Sequence, residues 1–176
     1  MLVKPASVPA ICRRIEFLGM PAPPVITAYV ALGANLGDAR ATVLQAMDAL
    51  ATMPGTVLTR RSSLYRTAPV DSSGPDYINA VVELSTQLGA IELLHALQRL
   101  EQAAGRERPY PNAPRTLDLD LLSYDKLSME TDELVLPHPR IHERAFVLVP
   151  LAEIAPTKVP AEQLAAVAGQ TINRLN

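Results

Sequence analysis

The sequence predicts an α+β fold, an antiparallel sheet with two helices on one face in the β-α-β-β-α-β order of the ferredoxin-like arrangement, followed by a C-terminal appendage. Three observations carry that expectation. Short runs rich in Val, Ile, Leu and Thr alternate with two stretches whose apolar residues recur at helical spacing. Clusters of Gly, Pro, Asp and Ser separate them. The 176 residues, 19.0 kDa in all, suit one domain that can bury its own core.

The elements follow in order. Residues 1–24 contain five of the 16 prolines and no periodic apolar pattern, and read as a flexible extension or a mis-called start. Organelle targeting is the lesser alternative, and the arginines within Ile11–Met20 exclude a secretory signal. The domain is expected to span residues 25–176. Val25–Leu32 is a mostly apolar run ending at Gly33, which suits a buried strand. Asp38 can cap a helix carrying Val43, Ala46, Met47 and Leu50, stopped by Pro54-Gly55. Thr56–Arg66 alternates loosely and is expected as one strand, and Tyr77–Thr86 as another, with a loop at residues 71–75. Leu93, Leu97, Leu100 and Ala104 form a second helical stripe closed by Gly105. Thr116–Tyr124 is the best-patterned strand. A short β piece is expected at Leu134–Leu136, and a helix over Arg144–Ile154 that contains Pro150.

Composition narrows the classes. Sixteen Lys+Arg against 18 Asp+Glu give a formal charge of −2, unlike a surface that coats nucleic acid or an anionic membrane. The single cysteine, Cys12, cannot form an internal disulfide framework and fits a reducing, cytoplasmic setting. No apolar run reaches the roughly 18 residues of a membrane span. The expectation is a cytoplasmic monomer.

The chemistry concentrates in Thr116-Leu-Asp-Leu-Asp-Leu. Alternation sends Leu117, Leu119 and Leu121 to one face and Asp118 and Asp120 to the other, the two carboxylates roughly 7 Å apart along the strand. Such a pair can bracket Mg²⁺ ions about 3.5–4 Å apart, as in two-metal phosphoryl transfer. On its own a D-x-D reads as a solvated strand face. Asp is disfavoured in strands, however, and Arg106, Arg108 and Arg115 lie just upstream, where guanidinium forks can hold phosphate oxygens. No G-x-x-x-x-G-K-[ST] loop, H-R-D or D-F-G occurs. Gly33-Ala-Asn-Leu-Gly37 is equally a plain strand-to-helix turn or an anion-facing helix start. His95 reads as helix surface or core. His138, held between Pro137 and Pro139, is either a presented side chain or part of a structural turn, and His142 has no such support. One Cys and scattered His argue against a Zn site.

These residues resemble the 6-hydroxymethyl-7,8-dihydropterin pyrophosphokinase family. The likeness runs through Ala31–Gly37, Tyr65-Arg-Thr67, Pro75–Asn79, Gln98–Glu101, Gly105–Arg108, Pro114–Asp120 and Leu136–Arg140, with Arg144 and Phe146. It implies pyrophosphoryl transfer from ATP to the pterin hydroxymethyl group, releasing AMP. It further implies two Mg²⁺ ions on Asp118 and Asp120, with Arg106 and Arg115 stabilising the migrating group. Gln98, Glu101, Arg108, Arg115, His138 and Arg144 would bind ATP. Thr67, Ala68, Val70, Tyr77, Asn79 and Phe146 would line the pterin pocket, where an aromatic face and an amide suit a flat ring with a donor–acceptor edge. Phe146 also suits core packing. The chain departs from the family where Arg-Trp usually precedes Gly-Pro-Arg; here Pro111-Asn112 and Ala113-Pro114-Arg115 stand in a loop one residue shorter, with Tyr110 as the candidate replacement ring. This loop, stiffened by three prolines, is expected to order over ATP. The competing readings are a Mg²⁺-dependent nucleotidyltransferase and an RNA-binding module, and the latter lacks its aromatic motif.

Overall fold

A computed structural model describes residues 23–69, 74–105 and 115–176. The expectations for the N-terminal extension, Cys12, Val70 and the loop 106–114, with Arg106, Arg108, Tyr110 and Asn112, lie outside the described residues.

The first half of the chain forms β1 (Ile26–Ala34), α1 (Ala39–Ala51), β2 (Thr56–Arg61), β3 (Tyr65–Thr67) and β4 (Tyr77–Thr86). Then come α2 (Ala90–Ala103) and β5 (Asp118–Tyr124), completing the expected order. Asp38 caps α1 as anticipated, its Oδ1 accepting from Ala41 N at 3.0 Å. The tight turn before it needs Gly37 at φ 59°. The main sheet runs β5-β1-β4-β3, with β2 also alongside β4, and these pairings are antiparallel.

The expected single strand over 56–66 is in fact two. A register shift falls at Thr59, whose hydroxyl donates to Glu83 O and Oε1. At the break, Ser62 N donates to Val81 O at 2.9 Å and Val81 N donates to Ser62 Oγ at 2.9 Å. Hydroxyl oxygens thus take ladder positions that backbone groups would otherwise fill.

Alternation along β1 divides the core. Ala28, Val30, Leu32 and Ala34 join Val43, Met47 and Leu50 of α1 and Leu93 and Leu97 of α2. Tyr29 and Ala31 point the other way. That second face is covered by the helical part of the appendage, while Leu134 and Leu136 of its hairpin join the first cluster; sequence left the position of the appendage open. The appendage comprises a hairpin of β6 (Met129–Glu130) and β7 (Val135–Leu136), then α3 (Ala145–Ile154), a 3-10 turn at Pro156–Lys158, α4 (Ala161–Ala166) and β8 (Asn173–Arg174). Helix α3 lays Val147, Leu148, Leu151 and Ile154 against Tyr29, Val81 and Leu122. Truncating a Leu buried like Leu148 costs about 2–5 kcal/mol. Strand β8 extends the sheet beside β3.

One carboxylate clasps this end of the molecule. Glu153 accepts from Ser63 N at 2.9 Å, Ser63 Oγ at 2.8 Å, Tyr65 OH at 2.9 Å and Arg174 Nη2 at 3.3 Å. Burial alone would raise the Glu153 carboxyl, but these donors and the Arg174 charge hold it below its ordinary range. No helix among the described residues is long and apolar enough to cross a membrane.

Candidate active site

The sheet supplies the floor of a cleft. Register sets Asp118 of β5 opposite Gly33 of β1, and Gly33 in turn opposite Asn79 of β4. A carboxylate, a bare backbone position and an amide therefore lie in one row. A side chain at Gly33 would put its Cβ 3.3 Å from Asn79 Oδ1 and 4.0 Å from the Tyr77 ring. Glycine is what lets the amide lie across this position.

Asn79 is itself buried and donates from Nδ2 to Thr67 Oγ1 at 2.9 Å. Antiparallel pairing of β3 with β4 sets Thr67 opposite Tyr77. From the far side, the start of α3 contributes Arg144 and Phe146, with the guanidinium carbon 5.3 Å from the centre of the phenyl ring. Thr67, Ala68, Tyr77, Asn79, Arg115, Asp118, Asp120, Arg144 and Phe146, all anticipated, line one cleft. It encloses about 790 Å³, counting the part open to solvent.

The acidic end carries unlike neighbours. Leu117, Leu119 and Leu121 are buried on the helix side, so the alternation directs the carboxylates toward the cleft. Arg115 Nη1 forms an ion pair with Asp118 Oδ2. Burial raises the Asp120 carboxyl and the Asp118 charge raises it further, against the pull of His138, Arg115 and Arg144. Two crowded carboxylates of which one is largely desolvated suit a hard divalent cation, which would relieve both burial and repulsion. Among the described residues no cluster of three or more His, Cys, Asp or Glu gathers, so such an ion would complete its shell from phosphate and water.

Three further anticipated residues lie off the cleft. Gln98 is exposed on α2. Glu101, 2% exposed, accepts from Leu119 N at 2.7 Å and so braces the carboxylate strand from its helix side. His138 follows the cis Leu136–Pro137 peptide, and its backbone N donates to Leu122 O at 2.8 Å, tying this turn to β5. His95 lies on the surface of α2, paired with Glu133.

Two residues were not singled out by sequence. Asn35, 2% exposed, accepts at Oδ1 from Arg115 N at 2.8 Å and donates from Nδ2 to Pro75 O at 3.2 Å. Its backbone N donates to Arg115 O at 3.0 Å. Its place in Gly33-Ala-Asn-Leu-Gly37, a polar side chain in the turn between a strand and a helix, was the available signal. Arg140 also lines the cleft, and its place in Leu136-Pro-His-Pro-Arg140 was the signal there.

A split βαβ sheet with paired carboxylates, guanidiniums and an aromatic–amide pocket in one cleft defines the class: a phosphate-transfer enzyme acting on a flat heterocyclic substrate. The family model for 7,8-dihydro-6-hydroxymethylpterin-pyrophosphokinase matches residues 29–156. The chain belongs to that family, whose members transfer pyrophosphate from ATP to hydroxymethyldihydropterin in folate synthesis. It is 43% identical over 128 residues to the 2-amino-4-hydroxy-6-hydroxymethyldihydropteridine pyrophosphokinase of Bacillus subtilis, covering 72% of this chain and 77% of that one. It is 44% identical to the enzyme of the same name from Methylorubrum extorquens, covering 75% of this chain and 84% of that one. The mitochondrial folate synthesis bifunctional protein of Pisum sativum is 39% identical over 78% of this chain, which spans 27% of that protein. Among solved structures, the Plasmodium falciparum HPPK-DHPS triple mutant aligns with a TM-score of 0.62 at 12% identity, covering 76% of this chain. The alignment spans 40% of that longer chain, and the likeness is one of fold.

Proposed function

We propose that this one cleft holds both substrates of the family reaction. The chain is a pyrophosphokinase with ATP as co-substrate; it makes AMP and the diphosphate ester of 6-hydroxymethyl-7,8-dihydropterin. The observation that carries the residue assignment is the single row Asp118–Gly33–Asn79, which sets carboxylate and heterocycle-reading amide on one floor.

At the neutral end, Asn79, oriented by Thr67, reads the donor–acceptor edge of the pterin. Tyr77 and Phe146 supply aromatic faces, Ala68 lines the wall beside them, and Val70 is the further pterin contact that the family likeness implies. At the charged end, Asp118 and Asp120 are the ligands for two Mg²⁺ ions. Bound there, the metal would neutralise ATP phosphate charge and act as Lewis acid. Arg115, with its main chain fixed by Asn35, and Arg106 stabilise charge on the migrating group. Arg144 meets the nucleotide within the cleft; Arg108, Gln98 and His138 are further nucleotide contacts beyond its described lining, and Glu101 acts through its hold on β5. Positioning and electrostatics carry most of a phosphoryl transfer, so a strong protein base is not required.

The functional unit is residues 25–176, supported by β1 beginning at Ile26 and the family match at residue 29. The partners of the reaction are ATP and the pterin, and the protein acts as a monomer; the formal charge of −2 supports a role with neither nucleic acid nor membrane as partner. Cytoplasmic placement is supported by the lone cysteine. Product analysis tests the function: AMP with a diphosphorylated pterin is expected, whereas release of free pyrophosphate with an adenylylated product would replace it by nucleotidyl transfer.

A further inference from the structure

We infer that Arg140 is an additional polyphosphate-binding residue of the cleft, closing on the nucleotide together with Arg144 after leaving Glu143. The inference rests on the reading that the cleft binds ATP.

Three described guanidiniums line this cleft: Arg115, Arg140 and Arg144. Arg115 is engaged by Asp118. Arg144 is half-buried and lies over the Phe146 ring, its guanidinium carbon 5.3 Å from the ring centre. Burial lowers the Arg144 pKa and the like charge of Arg140 lowers it further, against the pull of Asp120 and Asp118, so the two cations lie close enough to feel each other. Two cations held together in a concave site are stabilised by a shared anion, and guanidinium forks match phosphate oxygens.

Arg140 is presented rather than loosely attached. Its backbone N donates to His138 Nδ1 at 3.2 Å, and its carbonyl accepts from Glu143 N at 3.3 Å. Its side chain is paired with Glu143 only through Nε, at 3.3 Å. The two side chains are 50% and 62% exposed. So exposed a pair is weak, screened and readily exchanged. The terminal nitrogens of Arg140 have no hydrogen-bond partner among the described residues, which leaves that end of the fork to the cleft. An arginine present for solubility alone would have no reason to share a cavity with a second, half-buried guanidinium.

Calorimetric titration of the full chain with α,β-methylene-ATP and Mg²⁺ tests this, comparing wild type with R140A, R140K and E143Q. Turnover with dihydropterin is measured in parallel. R140A is expected to weaken analogue binding about tenfold, the size of one charge-assisted hydrogen bond. R140K should recover part of it, E143Q should bind at least as tightly as wild type, and pterin affinity should not change. Analogue binding by R140A within twofold of wild type would overturn the proposal, as would equal losses for analogue and pterin. If wild type binds the analogue and R140A binds it more weakly, yet no pterin is turned over, the pterin reaction fails and Arg140 stands. If pterin is turned over and R140A binds as wild type does, the reverse holds.

Discussion

Asn35 and Arg115 are joined by reciprocal hydrogen bonds, backbone N to Arg115 O at 3.0 Å one way and Arg115 N to Asn35 Oδ1 at 2.8 Å the other. Eighty positions apart in sequence, they anchor the start of the carboxylate strand to the end of β1. The same side chain reaches Pro75 O, so one amide links three segments around the cleft.

Replacing Asn35 with Ala leaves Arg115 N and Pro75 O without that partner at a part-buried junction. The expected cost is about 1–3 kcal/mol, read as a lower urea midpoint. Because Arg115 loses its main-chain anchor, kcat should fall more than the affinity for pterin. Asn35→Asp keeps the acceptor for Arg115 N and should recover more kcat than Ala does.

Gly33→Ala tests the floor of the cleft. Its Cβ would lie 3.3 Å from Asn79 Oδ1, so the amide must shift and strain its 2.9 Å bond to Thr67. Pterin affinity should drop about tenfold, on the scale of one misplaced buried hydrogen bond. Nucleotide affinity should stay within about twofold of wild type on the same scale. Equal loss of both ligands would show that the effect is not local to the amide.

Acid and alkali should destabilise through the clasps on the α3 side. Glu83, like Glu153, would be raised by burial, but hydrogen bonds from Tyr29 and Thr59 and the charges of Arg60 and Lys158 hold it below its ordinary range. A depressed carboxyl contributes stability that is complete above its unfolded value, about 4.3, and is lost as pH falls through the folded value. Tyr29 and Tyr65 run the opposite way: burial, then their bonds to Glu83 and Glu153, push both up to about 12. Their contribution is complete below the unfolded value, about 10, and is lost as pH rises toward 12. The urea midpoint should therefore decline at both ends of the pH range. Glu153→Gln should flatten the acid limb and lower the Tyr65 titration seen by phenolate absorbance.

Local pattern made most of the framework legible. Period-two alternation placed Asp118 and Asp120 opposite three buried leucines, and helical spacing identified the buried faces of α1 and α2. What escaped it depends on partners distant in sequence. Asn35 acts through Arg115 and Pro75, and Glu101 through Leu119, bonds that no periodicity encodes. The break in the expected 56–66 strand follows from Ser62 meeting Val81, again a long-range contact. Likewise, α3 reads as apolar nearly all round, so its sequence shows that it is buried without showing which sheet face it covers. Arg140 lay within a quoted motif, yet its cleft-facing position emerged only once α3 had brought Arg144 beside it.

On the proposed function, Asp118 and Asp120 carry the metal that holds the ATP phosphates. The most direct measurement is AMP formation from ATP and dihydropterin as Mg²⁺ is titrated, in wild type and in Asp118→Asn and Asp120→Asn, with circular dichroism confirming the fold. Mg²⁺-dependent AMP is expected in wild type, with loss of turnover by at least about a thousandfold in either variant, as when transition-state charge stabilisation is removed. Near-wild-type turnover by both folded variants at limiting Mg²⁺ would contradict that assignment.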